Sequence, residues 1–197
     1  MTLTAGDLWA LLRESVLRPR GVVRRLLDAP LGAGILWQAL VVMAILAGLL
    51  AWSELFIGPE DSLPFARASL PGPAAMSLMQ FGLLAILVPA IHFGGRIFGG
   101  KGEMLGALKV VAWWQGLTLV LQVAELIAIL ALPFLGVLVI VATFVALVWT
   151  LTNAVAELHG FRSLGLVLVG IIATGVVVML ILSFLLTAFG VVPPGSY

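Results

Sequence analysis

Of 197 residues, 62% are hydrophobic and only 10% are charged, where an ordinary soluble domain carries about a quarter charged, so the chain has no polar coat to keep it in water. The net charge of +1 points to no nucleic-acid partner. The absence of cysteine excludes disulfides, thiolate nucleophiles and cysteine metal sites.

The first thirty residues are mixed in character. Thr4 followed by Asp7 reads as a helix start, and Leu8, Leu11, Leu12, Ser15 and Val16 fall near one helical face. Arg18-Pro19-Arg20-Gly21 breaks the chain, after which Val22, Val23, Leu26 and Leu27 interleave with Arg24 and Arg25 as far as Pro30. These patterns predict two short helices along the membrane surface, apolar side down. Arg18, Arg20, Arg24 and Arg25 form a candidate cytoplasmic basic surface. They serve as topology signals and headgroup contacts, or as a docking face for a protein partner. A cleavable signal peptide is not expected, because the apolar run that follows is longer than a 7–15-residue h-region.

Uncharged runs then dominate. Each exceeds the ~20 residues a helix needs to cross the hydrocarbon layer. Leu31 to Ser53 is the first, and 28 uncharged positions separate Arg67 from Arg96. From Val110 to Ala156 the only charge is Glu125, and Leu132-Pro133-Phe134-Leu135-Gly136 divides that stretch into two. After Arg162 no charge follows. The fold class is therefore an all-α integral membrane bundle of five spans, at 31–52, 74–98, 109–132, 135–156 and 163–189. A β-barrel would need short alternating segments instead. The organisation reads as a cytoplasmic amphipathic lead (1–30), the bundle (31–190) and a short tail (191–197).

Orientation follows from the basic residues. With the N-terminus in the cytoplasm, nine of the ten lie inside and only Arg67 outside, as the positive-inside rule requires. The loop with Glu54, Glu60 and Asp61 then faces outward, and so does the C-terminal Pro193-Pro194-Gly195-Ser196-Tyr197.

Chemistry-bearing patterns are few. Gly95-Arg96-Ile97-Phe98-Gly99-Gly100-Lys101-Gly102 superficially resembles a phosphate loop, but Gly102 stands where a magnesium-binding Ser or Thr is needed. A glycine turn between two spans is the better reading. There is no Gly-x-Ser-x-Gly elbow, no His-Glu-x-x-His helix and no pair of aspartates within the spans. His92 and His159 read as interface residues, with a two-histidine metal site as the remote alternative. No enzyme, cofactor or metal is called for. No internal repeat is evident either, so the inverted-repeat design of many transporters gains no support.

The most informative polar residue is Glu125. With the third span centred near Leu121, it lies about 6 Å from the midplane at 1.5 Å per residue. A carboxylate there needs the bundle interior, a proton or a partner. Gln115, Thr118, Gln122 and Glu125 share about 80° of arc at 100° per residue. Thr143, Thr150, Asn153 and Glu157 do the same on the fourth span. The short turn at Pro133 makes the two helices antiparallel, so these stripes face each other or a shared third helix and form a candidate intramembrane seam, either hydrogen-bonded or enclosing a small polar cavity. The expectation is a neutral Glu125 bonded to a side chain of the fourth span. Ala44 with Gly48, and Gly170 with Thr174, are small pairs four apart that permit close helix approach.

Two stretches carry a family resemblance. Arg18-Pro19-Arg20, with Arg24-Arg25 and Pro30, is one. Phe98-Gly99-Gly100-Lys101-Gly102, leading through Ala107-Leu108 to Val111-Ala112-Trp113, is the other. Together with the five-span plan they make the chain resemble the Yip family of Rab-associated membrane proteins, in its bacterial branch. The resemblance implies a membrane-organising or partner-binding scaffold and no catalytic residue. Eukaryotic relatives bind prenylated Rab-type GTPases through an extended cytoplasmic domain and an Asp-Leu-Tyr-Gly-Pro-like motif. Neither is present here, and the single tyrosine is Tyr197, so Rab binding is not carried over. Arginine outnumbers lysine eight to two, which suggests a GC-rich bacterial genome and hence the inner membrane. The other reading is a small transport component with its polar site around Glu125. The partners implied are the lipid bilayer and a protein at the N-terminal segment; the oligomeric state is open.

Overall fold

The structure, a computed structural model, describes residues 5–54 and 72–188. Thr4, the loop residues Glu60, Asp61 and Arg67, and the tail Pro193–Tyr197 lie outside the described residues. Within them every regular element is helical.

The chain opens with α1 (Ala5–Leu17) and α2 (Pro19–Asp28). The break between them is chemical. A proline disfavours helical geometry in the residue before it, and Arg18 sits at φ −136°, ψ 55°. Pro19 itself occupies the first turn of α2, where a missing N–H is harmless. Five long helices follow: α3 (Ala33–Glu54), α4 (Pro73–Ile97), α5 (Met104–Ala131), α6 (Gly136–His159) and α7 (Leu164–Ala188). All five are long and apolar enough to cross a membrane. In lipid only an element that satisfies its own backbone can span, and these runs do so as helices.

The boundaries match the sequence reading within a few residues except at α5, which begins at Met104 and not Lys109. Its first turn and a half belongs to the packed end of the bundle. A single 3₁₀ turn (Pro133–Leu135) joins α5 to α6. Gly160 ends α6 in the left-handed conformation at φ 74°, where a glycine is nearly free of strain.

Helix α3 packs on α4 and α5, α5 packs on α6, and α7 rests against α4 and α6. Leu36, Leu40 and Ala44 of α3 meet Leu84, Val88 and Ile91 of α4 in the core. The small pair on α3 is used: Gly48 lies against the backbone of Ser77, whose hydroxyl donates to Pro73 O at 2.9 Å.

Packing is concentrated at one end. On α5 every residue from Gly106 to Ala112 is buried, and beyond Leu117 none is. On α6 burial begins only at Thr150 and runs to His159. The opposite halves expose Ile127, Leu130, Val137, Leu138 and Phe144, a surface suited to acyl chains. The buried end is the one that carries α1 and α2.

Candidate functional site: the basic end of the bundle

Helices α1 and α2 were expected to lie apolar side down on lipid. On α2 the apolar side instead rests on protein. Val22 is buried and Val23 is fully so at 0% exposure, with α2 packed against α5 and α6. Polar contacts fix the arrangement. Lys109, only 6% exposed, donates from Nζ to Leu27 O and to Ala29 O, both at 2.7 Å. These carbonyls lie at the end of α2, where the negative end of the helix dipole favours a cation, and Ala29 O also accepts from the Leu31 N–H. Trp113 Nε1 donates to Ser15 Oγ at 3.3 Å, and Trp149 Nε1 donates to Val16 O at 3.2 Å. An ammonium and two indoles therefore hold the lead segment to α5 and α6.

The four arginines of the candidate surface have different roles. Arg24 pairs with Glu157 of α6 at 2.7 Å, and Arg25 pairs with Glu14 of α1 at 2.7 Å. Arg20 is half-buried, with its Nε unpartnered. Arg18 is exposed, as are Arg13, Arg96, Lys101 and Arg162 at the same end. The Arg24 side chain is 73% exposed, so its pair with Glu157 is screened by water. Arg24→Gln is expected to cost less than about 1 kcal/mol, measured by thermal unfolding in detergent.

The glycine-rich turn after α4 has a structural occupant. His159, 3% exposed, is enclosed by Gly95, Gly100 and Gly102, at each of which an added methyl group would run into the His159 side chain. Gly102 and Gly106 similarly make room for Leu158. The ring is held in place: Nδ1 lies 3.1 Å from Val155 O, Phe161 stacks on it with centroids 5.6 Å apart, and the Lys101 N–H donates to His159 O at 3.3 Å. The α4–α5 turn is thus locked onto the end of α6. His92 is buried close by, its backbone within reach of the His159 ring, and His92 Nδ1 has no hydrogen-bond partner. Among the described residues no three of His, Asp and Glu gather as a metal site would require.

The seam residues do not meet as one face. Gln115, 1% exposed, accepts from Gln80 Nε2 of α4 at 3.3 Å and so faces the second span, not the fourth. Thr118 donates to Trp114 O of its own helix. Gln122 has a buried, unpartnered Oε1. On α6, Thr150 donates to Leu147 O and Asn153 to Trp149 O, also within their own helix; Thr143 is half-buried. The link between α5 and α6 is an indole, Trp114 Nε1 donating to Leu147 O at 3.1 Å.

Glu125 also differs from expectation. Because α5 starts at Met104, its midpoint falls near Leu117 and Thr118, and Glu125 lies about 11 Å from it at 1.5 Å per residue. No hydrogen bond joins it to α6 among the described residues. It comes within electrostatic reach of Glu54, the last residue of α3. The carboxylate lies in the half of α5 away from the basic end.

A family model, the Yip1 domain, matches residues 13–186. The chain belongs to the Yip1 family. The match begins within α1 and therefore takes in α2 together with all five spans. Comparison with curated proteins found no match. Comparison with solved structures found none either. This Yip1 chain is an integral membrane protein with five candidate spans.

Two features of this Yip1 domain were not assigned from sequence. Lys109 read as a span-edge cation, yet it is the anchor of α2. The glycines at 95, 100 and 102 read as a flexible turn, yet with Gly106 they form a close-fitting seat for Leu158 and His159. Their spacing was visible; the residues they receive, more than fifty positions later, were not.

Proposed function

We propose that this Yip1-family protein is a non-enzymatic, membrane-organising scaffold that binds a protein partner at its basic end. The observation that carries this reading is the clamp on α1 and α2. Lys109, Trp113 and Trp149 hold the segment to the bundle, so Arg13 and Arg18 are presented from a fixed frame. A preorganised surface loses less entropy on binding than a loose tail. The distribution of basic residues supports a cytoplasmic placement of this end, and the arginine-rich composition supports a bacterial inner membrane.

The test is a crosslinking pulldown from native membranes with a tag on the N-terminus. Arg13→Glu with Arg18→Glu leaves every described ion pair of the lead segment intact. A soluble or peripheral protein recovered with the parent chain, and reduced at least tenfold with the double variant, is the expected result. Recovery of a transport ATPase or another multispan protein, insensitive to those changes, would favour the small transport component instead. That reading rests on the carboxylates of Glu125 and Glu54.

A further inference from the structure

A groove of about 840 Å³ runs between α4 and α7. Leu83, Leu87 and Ile91 line one wall, Ile171 and Val178 the other, with Trp114 and Leu151 beneath. Polar side chains border it mainly at its ends, Arg162 and Ser163 at the basic end and Gln80 toward the opposite one. From Ser163 to Leu182 the α7 wall covers about 28 Å at 1.5 Å per residue, nearly the ~30 Å of a hydrocarbon core.

The shape selects the occupant. Helices α4 and α7 touch toward the basic end of the groove, with Gly94 against Thr174 and the Phe98 ring over Gly170. Where the two helices meet, a third helix about 10 Å across could pack only over the outside of them, whereas a single hydrocarbon chain is thin enough to lie between them. The mouth adds charge complementarity. Arg162 is exposed there, and its planar guanidinium matches a phosphate. The 25-residue α7 starts at Leu164, so its N-terminus opens on the same spot and favours an anion. Arg96, exposed in the last turn of α4, adds a cation at this end of the bundle.

We infer that the groove holds one acyl chain of an anionic phospholipid, its phosphate at Arg162 and the start of α7, its chain passing Ile171 and Gly175 toward Gln80. The site does not depend on the scaffold reading, since it faces lipid and not the aqueous partner.

Native mass spectrometry of the full chain tests it, after incubation in detergent with an equal mixture of phosphatidylglycerol and phosphatidylcholine bearing the same chains. The parent protein is expected to retain one phosphatidylglycerol with roughly tenfold preference. Gly175→Leu should abolish retention, because that position faces the groove with nothing within 4 Å of an added Cβ. Arg162→Gln, at an exposed turn position, should erase the headgroup preference. Circular dichroism reports whether each variant is folded, and the Arg162→Gln result decides alone if Gly175→Leu is not. Equal retention of the two lipids by the parent would overturn the assignment. Unchanged retention by folded Gly175→Leu would do so too, and a dimer lost in that variant would give the groove to a second copy.

Discussion

Gly95→Ala is expected to destabilise the bundle by about 1–3 kcal/mol, the usual penalty for overpacking a well-filled core. The new methyl would overlap the His159 ring. That ring has little freedom to move aside, because its Nδ1 is tied to Val155 O, Phe161 covers one face, and Gly100 and Gly102 close around it. Thermal unfolding in detergent gives the comparison. Gly21→Ala, at a position with nothing within 4 Å, is the control and should be neutral or slightly stabilising, since alanine is the better helix former. Combining Gly95→Ala with His159→Ala should recover part of the loss, with a coupling of about 0.5–3 kcal/mol for residues in contact. Additive losses would mean that the ring and the glycine do not constrain one another.

Lys109→Met is expected to release the lead segment while the spans remain folded. Methionine keeps much of the apolar stem but removes both bonds to Leu27 O and Ala29 O. Hydrogen bonds to a charged group contribute about 1.5–3 kcal/mol each, less what the freed carbonyls regain from water. A net local loss of about 2–4 kcal/mol follows from those magnitudes. Amide hydrogen exchange over Pro19–Asp28 should therefore accelerate tenfold or more, with little change in α3 and α4. Unaltered exchange would assign the docking of α2 to the packing of Val22 and Val23 together with the Arg24–Glu157 pair. The larger effect expected here than at Arg24 has a plain cause: one cation is buried, the other is in water.

The sequence disclosed the spans well because the signal is local. A helix crossing lipid must pair every backbone group within itself and offer apolar side chains along its length, so each run of some twenty uncharged residues announces its own structure. The break at Arg18-Pro19 and the turn at Pro133 were equally local, set by what proline does to its own bond and its neighbour. Helix α5 was placed five residues late because Lys109 looked like a boundary, when a cation can be buried if two carbonyls receive it.

Facing was another matter. A surface helix in water shows its packing side by a polar–apolar division; a span in lipid does not, since acyl chains are as apolar as leucine. The narrow arc shared by Gln115, Thr118, Gln122 and Glu125 was real, but the rotation and crossing of α5 turned Gln115 toward Gln80 and brought Glu125 near Glu54. The composition and its breaks thus determined a five-span membrane protein with nine of its ten cations on one side, and two short motifs carried the likeness to the Yip1 family. Only the tertiary structure decided that α1 and α2 rest on the bundle, that the glycines seat His159, and that α4 and α7 leave a groove between them. Each of these depends on residues far apart in the chain, brought together by packing that no local pattern encodes.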